Sequence, residues 1–202
     1  MSKRFTYTEC LLMVFVRNPE LGKVKTRLAK TIGDEKALAI YRSLLAYTRR
    51  VVAPVNADKA VFYHEYITHN DIWAHTDFEK RIQVGKDLGD KMLKAFGFAF
   101  KSGYKKVAII GSDCLEINTE IINHAFHILE SKDAVVGPAS DGGYYLLGMK
   151  ELHPSLFINK KWSKEDVLLD TVIDLQEAGL NYELLDTLSD IDVASDLESV
   201  DL

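Results

Sequence analysis

"DAVVGPASDGGYYLLGM", residues 133–149, sets one apolar run on each side of Ser-Asp-Gly-Gly. Residues 133–138 and 144–149 read as strands, yet parallel neighbours need a crossover of about a dozen residues or more, and the gap between them is far shorter. At least one strand must therefore run antiparallel or lie off the main sheet. Gly142 and Gly143 permit positive φ and close approach of a backbone or ligand, while Asp141 is thrown out at the turn. A plain hairpin with an Asp-Gly turn explains Asp141 and Gly142 equally well. It leaves Gly137-Pro138 unexplained.

Outward from this stretch, strands and helices alternate. "CLLMVFV" at 10–16 is a continuous apolar run, the pattern of a strand covered on both faces. A loop, "RNPELGKVK", leads into a helix, and Asp34 and Glu35 open a second, in which Leu38, Tyr41, Leu45 and Val52 recur at roughly helical spacing. Further strands are expected at 60–63, around Ile82–Val84, at "KVAIIGSD" and at 182–185. Helices are expected over "DLGDKMLKAFGFAFKSG", over 118–130, and from about Ser163 to Ala178 before Gly179. Such alternation makes a three-layer α/β/α fold with a mostly parallel mixed sheet, in which ligands bind outside the carboxyl ends of the strands.

The 202 residues suit one sizeable core, and no low-complexity linker divides them, so a single domain spanning 1–202 is expected. A net charge of −5 argues against a nucleic-acid partner. Cys10 and Cys114 stand at no metal-ligand spacing, which fits the cytoplasm better than an oxidising compartment. No stretch is long enough to span a membrane, and the six histidines show no metal-binding pattern. Cys114 reads as a small buried filler, and Trp73 and Trp162 as core or loop cover. Nothing in the sequence speaks to oligomeric state.

Four polar constellations lie where such a fold binds ligands. In "RNPELGKVKTRLAK", Lys23, Lys25 and Arg27 surround a helix start whose backbone N–H groups favour an anion, so the loop is either a phosphate cradle or a solvated basic turn. It is neither a P-loop nor a dinucleotide fingerprint. Asp113, directly after a buried strand, is a candidate for holding Mg²⁺ or Mn²⁺ across phosphates, or else a turn or capping Asp. Asp141 is the third. In "LSDIDVASDL", Asp190 or Asp192 could complete a metal site with Asp113, or Asp192 could cap a helix.

Taken in order, "NPELGKVKTRLA", "QVGKDLGDKM", "GSDC", "GPASDGGYYLLG", "WSKEDVL" and "DIDVASDL" resemble a family of small bacterial glycosyltransferase-like proteins in the nucleotide-diphospho-sugar transferase superfamily, with a GT-A type fold. The resemblance spans nearly the whole chain. It implies a nucleotide or nucleotide-sugar donor and a small-molecule acceptor. It places Lys25 and Arg27 on the donor phosphates, Asp113 on the divalent ion with Asp192 as second carboxylate, and Asp141 on the acceptor side. Gly142, Gly143 and Tyr144 then belong to the wall of the acceptor pocket. Asp87, Gly89 and Lys91 match the family's Asp-Leu-Gly-x-Arg element with Lys for Arg, a swap that loses bidentate anion geometry. Leu115 stands where the family usually has Pro.

The resulting expectation is a metal-dependent transferase in which Asp113 and Asp141 are the catalytic candidates and Lys23, Lys25, Arg27, Asp87 and Gly89 serve the nucleotide. Glycosyl transfer is favoured by the family resemblance. Nucleotidyl transfer from an NTP to a phosphorylated acceptor is favoured by the basic loop. A nucleotide-binding protein without turnover is the reading from another class; it has little need of Asp113, Asp141 and Asp192 together.

Overall fold

The computed structural model describes residues 8–162 and 166–197. Its seven strands are β1 (Cys10–Val16), β2 (Asp58–Tyr63), β3 (Glu79–Ile82), β4 (Lys106–Ile110), β5 (Ala134–Pro138), β6 (Tyr144–Met149) and β7 (Tyr182–Leu184). The helices are α1 (Thr26–Ile32), α2 (Asp34–Val52), α3 (Leu88–Lys101), α4 (Thr119–Ser131) and α5 (Val167–Glu177). One sheet holds all seven strands in the order β3-β2-β1-β4-β6-β5-β7. β6 runs antiparallel to β4 and β5, and every other pairing is parallel. The short connection at 139–143 therefore closes a hairpin, and the antiparallel strand it demands is β6.

The unbroken apolar run of β1 feeds two cores at once. Leu12, Val14 and Val16 face a core built with Tyr41 and Leu44 of α2 and Ile122 and Phe126 of α4. Leu11 and Met13 face the other, with Met92 and Phe96 of α3 and Leu175 of α5. A strand buried on both sides cannot alternate, because side chains at i and i+1 meet different apolar layers.

Helix starts follow the capping chemistry expected of their sequences. Asp87 accepts from Asp90 N at 2.8 Å at the start of α3, and Asn118 accepts from Ile121 N at 2.9 Å at the start of α4. The strand expected around Ile82–Val84 lies three residues earlier, at Glu79–Ile82, and Val84 is 60% exposed. β3 is a half-buried edge strand, so it carries no apolar run to mark its limits. α5 begins at Val167; Ser163, where the helix was expected to start, lies outside the described residues. No helix among the described residues is long and apolar enough to cross a membrane.

Gly137 and Pro138, which a plain hairpin leaves unexplained, have distinct structural causes. A Cβ on Gly137 would sit 2.4 Å from the Tyr145 ring, so only glycine lets that ring cross the strand, and the β5–β6 register shifts between Gly137 and Pro138. Gly142 has φ +86°, and Gly143 N donates to Asp141 Oδ1 at 2.9 Å. The turn therefore holds one carboxylate oxygen of Asp141 by its own backbone.

Candidate active site

β1 and β4 end side by side, and the polar loops that follow them are locked together. Tyr41 Oη accepts from Arg17 N at 2.8 Å, donates to Arg17 O at 3.2 Å and lies 3.3 Å from Ser112 Oγ. Burial, then the charge of Asp113, pushes the Tyr41 phenol up to about 12, so it remains a neutral strut. Asn18 is buried and ties the same loop to the end of β2, donating to Tyr66 O at 2.8 Å and accepting from Glu65 N at 3.0 Å. The loop after β1 is thus a fixed platform.

Lys25 stands at its centre, in the left-handed region at φ 47°, with a side chain 4% exposed. Its ammonium lies 2.8 Å from Asp113 Oδ2 and 3.0 Å from Asp192 Oδ1. Burial pulls its pKa down, but Asp113 and then Asp192 outweigh that and hold it above the ordinary lysine range. A left-handed non-glycine residue costs on the order of 1 kcal/mol and survives where the surroundings over-determine it. Arg27 Nη2 reaches Asp192 Oδ2 at 2.6 Å from an exposed position. Lys23 joins no carboxylate of this cluster and pairs instead with Glu20 at 2.7 Å and Glu65 at 3.5 Å.

The carboxylates arrive from a strap after β7. Ser140 N donates to Leu188 O at 2.9 Å, Leu188 N to Pro138 O at 3.1 Å, Ser189 N to Glu116 Oε2 at 2.7 Å, and Ile191 N to Asp113 O at 3.0 Å. These bonds lay residues 188–191 across the ends of β5 and β4 and bring Asp190 and Asp192 to Asp113 and Asp141. Asp192 is not a helix cap: Asp196 Oδ2 accepts from Asp192 N at 2.7 Å and Val193 N at 2.8 Å, which frees the Asp192 carboxylate for the two cations. Burial, then Asp113 and Asp141, pushes Asp190 up to about 7, against the opposing pull of Lys25. Cys114 is buried beside Asp190, and its thiol is pushed up to about 12 by burial first, which makes it a filler rather than a nucleophile.

Two adjoining cavities share Arg27, Asp113 and Asp192. The smaller, about 220 Å³, is also lined by Arg17, Lys23, Lys25, Thr26 and Tyr41. The larger, about 720 Å³, is also lined by Asp141, Asp166, Asp190, Gly143, Tyr144, Leu88, Trp162 and Val167. The crevice is therefore cationic on the β1 side and carboxylate-rich on the β5–β6 side. Lys91 lines neither of these cavities; burial and then the charge of Arg17 lower its pKa, and its ammonium lies 3.1 Å from His64 Nδ1.

Of the residues expected from sequence, Lys25, Arg27, Asp113 and Asp192 form one ion-paired cluster, and Asp141, Gly143 and Tyr144 line the adjoining cavity. Asp87 and Gly89 lie in the first turn of α3, on either side of Leu88, with Asp87 engaged as the helix cap. Arg17, Asp166 and Trp162 join the site without having been expected. Arg17 could have been noticed as the charge that ends the β1 run; nothing local marks the other two. Among the described residues no group of three or more His, Cys, Asp or Glu is gathered as a metal ion would require. Asp113 and Asp192 are two converging carboxylates, a set that suits Mg²⁺ or Mn²⁺ when substrate phosphates complete the shell. The crowding that raises Asp190 likewise favours an added cation.

A parallel-type sheet with a single antiparallel strand, and a charged crevice at its carboxyl edge, is the architecture of the nucleotide-diphospho-sugar transferase fold. The chain belongs to the family described as "Uncharacterized protein conserved in bacteria (DUF2064)", whose model matches residues 46–164. It is similar to a Desulfovibrio desulfuricans protein provisionally named a nucleotide-diphospho-sugar transferase, at 33% identity and a TM-score of 0.86, covering 93% of this chain and 84% of that one. The inositol-1-phosphate CTP transferase of T. maritima shares the fold at 15% identity and a TM-score of 0.56, covering 94% and 91% of the two chains. So does the 4-diphosphocytidyl-2C-methyl-D-erythritol synthase of Anaerococcus prevotii, at 9% identity and a TM-score of 0.58, covering 94% and 92%. No curated protein matches the chain.

Proposed function

We propose that the protein is a transferase that moves a glycosyl group from a nucleotide-activated donor to a small-molecule acceptor. The observation that carries this reading is the division of the crevice: Arg17, Lys25 and Arg27 on one side, and Asp141, Asp190 and Asp166 on the other. Donor phosphates belong on the cationic side, where Arg27 and the helix start of α1 neutralise charge that grows on the leaving diphosphate. Asp141, held by its own turn, orients or deprotonates the acceptor hydroxyl. Lys25 keeps Asp113 and Asp192 convergent. These two would hold Mg²⁺ or Mn²⁺, which supplies charge stabilisation across the diphosphate. The name of the 33%-identical relative supports the same reading.

Nucleotidyl transfer is the second reading, favoured by the 220 Å³ cavity with four basic side chains, which suits a triphosphate. Product analysis separates the two. Incubation with nucleotide sugars is expected to release a nucleoside diphosphate in a reaction that Asp113→Asn abolishes. Release of pyrophosphate from an NTP would instead establish the second reading, and nucleotide binding with no turnover of either donor would leave a binding protein.

A further inference from the structure

The larger cavity has a wall that the phosphate and carboxylate chemistry does not use. Leu88, Tyr144, Trp162 and Val167 form it, in the same cavity as Asp141 and Asp190. Two of these rings are seated by α3. A Cβ on Gly89 would fall 2.3 Å from Trp162 Nε1 and 2.4 Å from Phe157 O, so the indole rests directly on the helix backbone. The Tyr144 hydroxyl lies 3.7 Å from Met92 Sδ. Leu88, between Asp87 and Gly89, stays 43% exposed in this wall, although a large aliphatic side chain in a first helical turn is not needed there for capping.

A ring-bearing apolar surface sharing a cavity with carboxylates matches a particular ligand chemistry. Sugars and cyclic polyols have a C–H face that packs on aromatic and aliphatic surface, and an edge of hydroxyls that donate hydrogen bonds. Carboxylates accept such bonds and donate none when ionised. Among the described residues neither Asp141 nor Asp190 has an ion pair, and the cavity's one lining cation, Arg27, is the group assigned above to the donor phosphates. A phosphorylated acceptor would set its anionic oxygens against these carboxylates with no further cation among the described residues to compensate. A compact ammonium would satisfy the carboxylates but leave Leu88 and Val167 uncovered.

We propose that the acceptor half of the crevice binds an uncharged, non-phosphorylated sugar or cyclic polyol, with its C–H face on Trp162 and its hydroxyls donating to Asp141 and Asp190. This rests on the transferase reading and adds the acceptor's chemical class to it.

The chain has two tryptophans, Trp73 in the core and Trp162 in this wall, so the full-length protein labelled with 5-fluorotryptophan reports on the site directly. Trp162→Phe assigns its ¹⁹F resonance. The probes are methyl glucoside, methyl mannoside and myo-inositol, the 6-phosphates of glucose and mannose, and cadaverine, with nucleoside diphosphate binding followed in parallel by calorimetry. The expected result is a saturable shift of the Trp162 signal, with Trp73 unmoved, for at least one uncharged probe and at about tenfold lower concentration than for any phosphorylated one. Trp162→Ala is expected to weaken that binding about tenfold and leave the nucleoside diphosphate unaffected, while Trp162→Phe retains most of it. A Trp162 response confined to the phosphates or to cadaverine, or none to any probe, overturns the inference. If nucleoside diphosphates bind throughout, the transferase reading survives that failure; if they do not bind, that reading falls as well.

Discussion

The ammonium of Lys25 holds Asp113 and Asp192 together although its side chain is almost fully buried, and the exposed Arg27 takes the remaining oxygen of Asp192. Arg27 is therefore positioned by a neighbour yet open to a ligand. Arg27→Ala is expected to weaken nucleoside di- and triphosphate binding by about 1.5–3 kcal/mol, the worth of a charge-assisted hydrogen bond, and to leave nucleoside binding unchanged. Calorimetry with all three ligands checks this, and an equal loss for the nucleoside would point to damage of the fold. Asp190 gives a pH signature. Its folded pKa of about 7 stands above the ordinary carboxylate value, so between roughly pH 4 and 7 the folded chain binds more protons than the unfolded one. Stability then falls as pH rises through that window, and the full penalty is present above it. Asp190→Asn is expected to stabilise the metal-free protein by about 1–3 kcal/mol at pH 8 and hardly at all at pH 4, measured by denaturant melts in EDTA. A variant equally stabilised at both pH values would contradict this.

At the β5–β6 hairpin the chemistry of the site is set by packing one step removed from it. The Tyr145 ring lies over Gly137, and its hydroxyl donates to Asp186 O at 3.1 Å, at the root of the strap that carries Asp190 and Asp192. Gly137→Ala is expected to cost about 1–3 kcal/mol, because the new methyl overlaps the ring and strand backbone cannot give way. The double variant Gly137→Ala with Tyr145→Ala should lose less than the sum of the two single losses, since removing the ring removes the clash. Simple additivity in thermal melts would show that the contact does not matter. A hairpin was one of the readings that "GPASDGGYY" left open, because an Asp-Gly turn between apolar runs suits it. The reason for Gly137 was not legible there, because Tyr145 reaches it across the β5–β6 pairing rather than through its neighbours in the chain.

Across the sheet the two halves of the crevice come from opposite ends of the chain, so ligand binding should stiffen the protein as a unit. A cognate nucleotide at a hundredfold excess over its dissociation constant adds about 2.7 kcal/mol, which for a chain of this size is roughly 5–10 °C in Tm. That shift is expected with Mg²⁺ or Mn²⁺ and to shrink sharply in EDTA, as scanning calorimetry would record; an equal shift in EDTA would sink the assignment of Asp113 and Asp192 to a metal.

The alternation of apolar runs with helical periodicity was enough to specify a three-layer fold with a mostly parallel mixed sheet and an exception to parallel order near 133–149, because burial on two faces and short connections act within a few residues; the strand order and the choice of β6 as the antiparallel strand came from the structure. The limits of the edge strand at 79–82 escaped that reading, since half-buried positions carry no period. Lys25, Arg27, Asp113 and Asp141 were recognisable as polar groups at the ends of buried strands or a helix start. Asp192 was expected beside Asp113, but the ion pairs that Lys25 and Arg27 make with it were not. Lys25 meets Asp192 across 167 residues of chain, and Asp192 is available only because Asp196 caps in its place. Trp162 reads as core in isolation and becomes a cavity wall because Gly89 leaves room for its ring. Local propensity and burial are written along the chain, whereas the convergence of distant charges and rings depends on how the strap and helices fold back over the carboxyl edge of the sheet.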